Sequence, residues 1–224
     1  AVSGSEFAVR MVNQEDLIAG LVPLPTLATA ALPITVVRVS PASLATSIGA
    51  KRNLAVRAAR GNYLLHWDDD DLYAPDRIER QIAPLLNGDG GMSVVRHSYA
   101  ASVGTDHISY YQSTLESPML ASLAYTRSTF NVAGGFPDSN LGEDLSFVDA
   151  SLMACRRLVT VSNATAVYTR HANARNTWQW AFNNSGAMAG AMAFPGSPGA
   201  FGFVATQSMP PFVTAGLEEH YLAA

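Results

Sequence analysis

One stretch constrains this 224-residue chain more than any other: the apolar and aromatic run Tyr63-Leu64-Leu65-His66-Trp67 passes directly into Asp68-Asp69-Asp70-Asp71. The run is entered from the turn signal Gly61-Asn62 and predicts a short buried strand. Neighbouring carboxylates repel one another, and only solvent, protonation or a cation relieves that repulsion. A strand that leaves a core and ends in carboxylates suits a hard divalent ion with oxygen ligands. In open α/β sheets that end of the strands is also where ligands bind. The competing reading is a solvated acidic turn. Position favours the ion, because a merely solubilising run has no reason to abut a buried strand.

Around this stretch the chain alternates strand and helix signals. Residues 7–12 and the β-branched residues 34–39 predict strands. Residues 48–60 predict a helix closed by Gly61 as a left-handed cap. After Pro75, Ile78, Ile82, Leu85 and Leu86 recur at helical spacing, with Pro84 disturbing the last turn. Residues 92–95, 107–111 and 120–125 predict further strands. Gly134-Gly135-Phe136-Pro137 is a tight turn, and a helix is expected from Glu143 to about Arg157, with Leu145, Val148, Leu152 and Cys155 on its apolar face. Residues 158–161 and 165–168 predict a closing hairpin or paired strands. The fold class is therefore α/β, a mainly parallel sheet flanked by helices with a small antiparallel element near the C-terminal half. A single domain is expected over 1–185, with an apolar tail over 186–224 packing on it.

Composition excludes several classes. Hydrophobic residues make up 48% and charged ones 14%, which suits a core-rich globular protein. A net charge of −4 argues against a nucleic-acid binder. The lone cysteine, Cys155, rules out an internal disulfide and a cysteine-rich zinc site, and its place in a helical pattern predicts a buried thiol. The apolar stretch 17–37 is broken by Pro23, Pro25 and Pro33, so no transmembrane segment is expected. With no signal-peptide pattern at the start, a cytoplasmic enzyme, or one on the cytoplasmic face of a membrane, is the expectation.

Three segments together resemble the inverting glycosyltransferases of family 2, which have the GT-A (Rossmann-like) fold. Gly49-Ala50-Lys51-Arg52-Asn53-Leu54-Ala55, continued by Ala59-Arg60-Gly61-Asn62-Tyr63, resembles the helix leading into the family's metal strand. His66-Trp67 with Asp68 to Asp71, followed by Pro75 and Arg77, resembles its Asp-any-Asp motif and next helix. Gly134-Gly135-Phe136-Pro137 and Gly142-Glu143-Asp144 resemble its glycine turn and Glu-Asp motif. The family's opening strand with a Pro-Thr-Tyr-Asn-like turn, and its second strand ending in Asp-Asp, lack a clear counterpart. Residues 7–12 with Asn13-Gln14-Glu15-Asp16 are the only stand-in, which points to a truncated or divergent N-terminal part.

The resemblance implies a role for each matching residue. Asp70 would contact Mn²⁺ or Mg²⁺, and Asp68 the same ion or the nucleotide ribose, with Asp69 between them at the diphosphate. Asp144 falls at the family's catalytic base, with Glu143 as its positioning or acceptor-binding neighbour. Arg170-His171 resembles a late element that closes over the diphosphate or completes the metal shell. Lys51, Arg52 and Asn53 are candidates for the nucleotide pocket, against the alternative of a solvated helix face; Lys51 is the only lysine in the chain. The implied donor is a nucleotide-sugar, UDP-linked by preference, and the acceptor a glycan or small molecule; a homodimer is left open. Acids in a first helical turn are also stabilised by the helix dipole, which gives Glu143 and Asp144 a purely structural explanation. A non-catalytic nucleotide-sugar or glycan-binding domain of the same fold is the alternative function, and a nucleotidyltransferase the third.

Overall fold

A computed structural model describes residues 8–10, 34–36, 47–68, 71–74, 76–102, 108–170, 181–182, 188–189 and 204–205. In chain order its elements are β1 (Ala8–Arg10), β2 (Ile34–Val36), α1 (Ile48–Ala58), β3 (Tyr63–Leu65), β4 (Leu72–Tyr73), α2 (Arg77–Leu86), β5 (Met92–Ser102) and β6 (Ile108–Gln112). A 3₁₀ turn (Leu120–Ser122) then precedes β7 (Ala124–Thr126), α3 (Arg127–Ala133), α4 (Glu143–Met153), β8 (Leu158–Arg170), β9 (Ala181–Phe182), β10 (Met188–Ala189) and β11 (Val204–Ala205). The chain forms two compact units, 1–64 with 125–157 and 65–124 with 158–224.

In the first unit, β1 and β2 pair in parallel with Ala8 opposite Ile34. The start of α1 is bound to the loop before α4. Ser47 accepts from the Ala50 N–H at 3.1 Å and donates to the Asp138 carboxylate. The N–H groups of Ile48 and Gly49 donate to Asn140 Oδ1 and the Ser139 carbonyl, each at 3.0 Å. First-turn amides that a helix cannot satisfy internally are thereby paired. Gly49 approaches this loop so closely that a Cβ would overlap the Pro137 carbonyl oxygen. Tyr125, Phe130, Phe136 and Phe147 then pack as one aromatic cluster, with ring centroids 4.4 to 6.4 Å apart.

Both helix ends of this unit differ from the sequence expectation. α1 stops at Ala58, its C-cap Ala59 is extended, and Gly61 is not left-handed. Instead Arg127 donates to the carbonyls of Val56 (3.1 Å), Ala59 (2.8 Å) and Gly61 (2.9 Å). A guanidinium from 66 residues downstream caps the helix, which no local pattern announces. α4 ends at Met153 rather than near Arg157. There the Arg156 N–H donates to Ser151 and the Cys155 N–H to Leu152, both at 2.9 Å, a Schellman closure with Cys155 at φ 59° where glycine is usual. Cys155 is therefore exposed, not a core thiol. The inward face of α4 carries Glu143, Phe147, Val148 and Ser151, while Leu145 and Leu152 lie outward.

In the second unit, β5 is the centre of a mixed sheet. It pairs in parallel with β8, from Met92 opposite Leu158 to Ser102 opposite Arg170, with a register shift between Val95 and His97. It pairs antiparallel with β6, which carries β11 on its other side. β4 pairs antiparallel with β8, Leu72 opposite Val167 and Tyr73 opposite Ala166. β8 is thus one irregular strand rather than a hairpin: β5 pairs in parallel with it on both sides of the register shift, and β4 adds two residues opposite Ala166 and Val167. Residues 120–122 form a turn rather than a strand. α2 buries Arg77, Gln81, Ile82 and Leu85, leaving Ile78 and Leu86 exposed. Two polar residues hold the positions expected of two aliphatic ones, and the site explains why.

Candidate functional site

The turn that follows β3 belongs to the second unit and is built around Arg77. This side chain is fully buried. Its Nη2 donates to the His66 carbonyl at 2.8 Å and its Nε to Gln81 Oε1 at 2.7 Å. The guanidinium lies 3.9 Å from the Tyr73 ring and 4.9 Å from the Trp67 ring. Gln81 passes the network on, donating to the Ser122 carbonyl at 2.7 Å, while the Ser93 hydroxyl donates to the Gln81 carbonyl at 2.9 Å. A buried polar chain therefore joins the end of β3 to α2, β5 and the 3₁₀ turn. Arg77 Nη1 is buried and has no hydrogen-bond partner among the described residues. Burial draws the Arg77 pKa down, while Tyr73, Asp68 and Asp71 raise it.

On this base stands the acidic turn itself. The Asp68 N–H donates to the Tyr73 hydroxyl at 3.2 Å, and that hydroxyl donates to Asp71 Oδ2 at 3.3 Å. Asp71 Oδ1 accepts from the Thr169 N–H at 2.9 Å and from its hydroxyl at 3.3 Å. Asp71 is buried and committed to these contacts, whereas Asp68 is only partly buried. Burial, together with the charges of Asp71 and Asp68, holds the Tyr73 phenol far above its ordinary pKa, so it remains a donor at neutral pH. Trp67 leaves about half its surface (51%) in solvent beside the carboxylates. Asp69, Asp70 and His171 lie outside the described residues; Arg170 closes β8 opposite Ser102.

The other candidate residues belong to the first unit. Glu143 opens α4 and is buried, its carboxylate 3.4 Å from Arg52 Nη2. Arg52 also lies 5.7 Å from the Phe136 ring. Asn53 clamps the backbone of Phe136, donating to its carbonyl at 2.8 Å and accepting from its N–H at 2.9 Å. A Cβ on Gly135 would come within 2.8 Å of that same Asn53 oxygen, so the glycine turn and the amide are matched. Asp144, next to Glu143, is partly buried, and its Oδ1 accepts from the Leu145 N–H at 2.8 Å. Lys51 is partly buried on α1. Sequence reasoning singled out Lys51, Arg52, Asn53, Glu143, Asp144 and Asp68, but gave no individual role to Asp71 and passed over Tyr73, Thr169 and Gln81. The one available signal was a tyrosine and an arginine five and nine residues after the Trp67-Asp68 step, too short a pattern to separate from chance.

Among the described residues no group of three or more His, Cys, Asp or Glu side chains is arranged to hold a metal ion. Carboxylates such as those of the run Asp68 to Asp71 are the donor type that suits a hard divalent cation, and within that run Asp71 is engaged by Thr169 and Tyr73. No helix among the described residues is long and apolar enough to cross a membrane.

Residues 37–141 match the sequence pattern of Glycosyl transferase family 2. The match covers just under half of the chain. The family segment holds all four aspartates of the acidic turn, together with Arg77 and the glycine turn, and ends just before Glu143. A crystal structure of S. aureus TarS 1-349 in complex with UDP-GlcNAc is similar at TM-score 0.51 and 14% identity, over 73% of this chain and 49% of that one. A crystal structure of GalNAc-T7 with UDP, GalNAc and Mn2+ is similar at TM-score 0.54 and 13% identity, over 76% of this chain and 38% of that one. These likenesses give the chain its fold, a GT-A arrangement of mixed sheet and helices. It spans about half the length of the TarS chain and less of GalNAc-T7. No curated protein sequence matches it.

Proposed function

We propose that this chain transfers a sugar from a UDP-sugar to an acceptor hydroxyl with inversion, using a divalent cation. The observation that carries the reading is the family match over 37–141, which encloses Asp68 to Asp71 at a strand end. TarS with UDP-GlcNAc and GalNAc-T7 with UDP and Mn2+ favour a UDP-sugar and a metal in this fold.

Asp70, Asp68 and His171 would hold the cation, with Asp69 alongside. When bound, Mn²⁺ or Mg²⁺ supplies charge stabilisation to the departing diphosphate. Arg170 adds a fixed positive charge to the same leaving group. Asp144 accepts the proton of the attacking hydroxyl, and one displacement inverts the anomeric centre. Glu143, held by Arg52, orients the start of α4 and with it Asp144. Lys51 and Arg52 face the nucleotide in this reading, and Asn53 contributes by fixing the Phe136 turn. The deciding experiment supplies UDP-sugars, Mn²⁺ and a panel of glycan and small-molecule acceptors and follows product by NMR. A product of opposite anomeric configuration supports the reading; retained configuration would overturn the direct displacement.

A non-catalytic nucleotide-sugar-binding domain is the second reading. It is favoured by the commitment of Glu143 to Arg52 and by the family match ending before Asp144. Metal-dependent UDP binding without turnover on any acceptor would select it.

A further inference from the structure

Trp67 is pinned on both sides along the chain and yet leaves about half its surface, 51%, in solvent. One residue before it, the His66 N–H donates to the Leu123 carbonyl at 2.8 Å, and the His66 carbonyl accepts from Arg77 Nη2 at 2.8 Å. One residue after it, the Asp68 N–H donates to the Tyr73 hydroxyl at 3.2 Å. The indole itself lies 4.5 Å from the Tyr73 ring, inclined to it by 51°, and 4.9 Å from the Arg77 guanidinium. Arg77 is fully buried, so the ring rests on a fixed support.

Single exposed aliphatic side chains, such as Ile78 and Leu86 on α2, are ordinary on a protein surface. A tryptophan held in this way is different, because its indole offers a broad apolar surface already in place. Contacts to a ring that is fixed beforehand carry no ordering cost when a ligand arrives. Trp67 also stands two residues past Leu65, the last residue of β3, at the end of a strand where open α/β sheets bind ligands.

Charge limits what the indole can take. One cation already lies against it, so a second would be repelled. The next four residues are aspartates, which oppose any anion that brings no cation with it. A neutral ligand with an apolar face and a polar rim meets both conditions. Hexopyranose rings have that form, with C–H groups across a face and hydroxyls around the edge. Stacking on indole removes the C–H face from water and leaves the hydroxyls free to hydrogen-bond.

We propose that Trp67 is a stacking platform for a neutral hexopyranose ring, the sugar of the donor or of the acceptor. The platform serves the transferase of the proposed function, and the class of ligand rests on that reading. Trp67 then contributes to sugar binding and not to the chemical step, and its contact needs no metal.

The test uses the full chain labelled with fluorotryptophan. The chain has three tryptophans, and the fluorine NMR signal of Trp67 is identified by its loss in Trp67→Phe. UDP, UDP-glucose, UDP-N-acetylglucosamine, cellobiose and maltose are titrated in turn. Calorimetry gives dissociation constants for wild type, Trp67→Phe and Trp67→Ala, with melting temperature as the control for folding. The Trp67 signal should move with a sugar-bearing ligand and not with UDP alone. The dissociation constant for that ligand should rise about tenfold in Trp67→Ala and by less in Trp67→Phe, with UDP affinity unchanged. Movement with a UDP-sugar assigns the platform to the donor, and movement with a free disaccharide alone assigns it to the acceptor. A Trp67 signal that stays still with every sugar, with affinities within twofold in Trp67→Ala, would overturn the platform and leave the transferase reading standing. A signal that moves as far with UDP as with the UDP-sugars would overturn it too, placing the ring at the nucleotide. Failure of wild type to bind any of these ligands would overturn the transferase reading and the platform together.

Discussion

At the start of α4 and in the turn after β3, this protein handles neighbouring acids in the same way but with different supports. In the first unit Glu143 is buried and faces Arg52, while adjacent Asp144 accepts from the Leu145 N–H. In the second unit Asp71 is buried between Thr169 and Tyr73, while Asp68 keeps its side chain partly in solvent. One acid of each set is an anchor, buried against a partner from another element. The supports differ in kind. Glu143 faces the Arg52 cation, which also lies over Phe136 of the aromatic cluster. Asp71 relies on neutral donors, with the cation Arg77 one layer below and wholly out of water. The fully buried guanidinium is the less forgiving support, because its loss leaves buried acceptors unpaired.

That contrast can be broken in order of effect. Asp144→Asn keeps the acceptor oxygen for Leu145 but removes the base, so turnover should fall ~10²–10⁴-fold with an unchanged melting temperature. A fall below tenfold, measured as UDP release, would place the base elsewhere. Arg77→Met should cost on the order of 3 kcal/mol in urea unfolding, because Gln81 and the His66 carbonyl lose a buried donor. Arg52→Met, on the more exposed support, should cost less, about 2 kcal/mol, by leaving the Glu143 carboxylate buried opposite an apolar chain. Equal costs for the two arginines would erase the distinction drawn here.

Two smaller effects sharpen the picture. Burial raises the pKa of both Tyr73 and Tyr125 in the folded protein. Their stabilisation is complete below the ordinary tyrosine value and is lost as pH rises toward the folded one. Stability should therefore fall above about pH 10, with a slope approaching ~1.4 kcal/mol per pH unit for each tyrosine. Tyr125→Phe should remove one such contribution, and an unchanged slope in alkaline melting curves would contradict it. Smallest is Cys155→Gly, which relieves a left-handed non-glycine residue at the Schellman turn and should raise stability by about 1 kcal/mol.

How far the sequence could be read follows from the range of the forces involved. The strand of Tyr63 to Leu65, the glycine turn at 134–135 and the helix starts at Ile48 and Glu143 were legible because periodicity, glycine and capping are local signals. The inward faces of α2 and α4 were misread because hydrophobic spacing assumes that apolar residues point inward. Arg77 and Gln81 are buried on α2 because the His66 and Ser122 carbonyls need donors, and those carbonyls lie 11 and 41 residues away. The same distance hides Arg127 as the cap of α1 and Thr169 as the partner of Asp71. Candidate acids could be named from sequence. Which of them are anchors follows only once partners from other elements are in place.

The measurement closest to the central claim is calorimetric titration of UDP, with and without Mn²⁺, into wild type and Asp70→Ala. The account predicts UDP binding that requires Mn²⁺ and disappears in the variant. UDP binding that is indifferent to both the metal and Asp70, or no UDP binding by wild type at all, would contradict it.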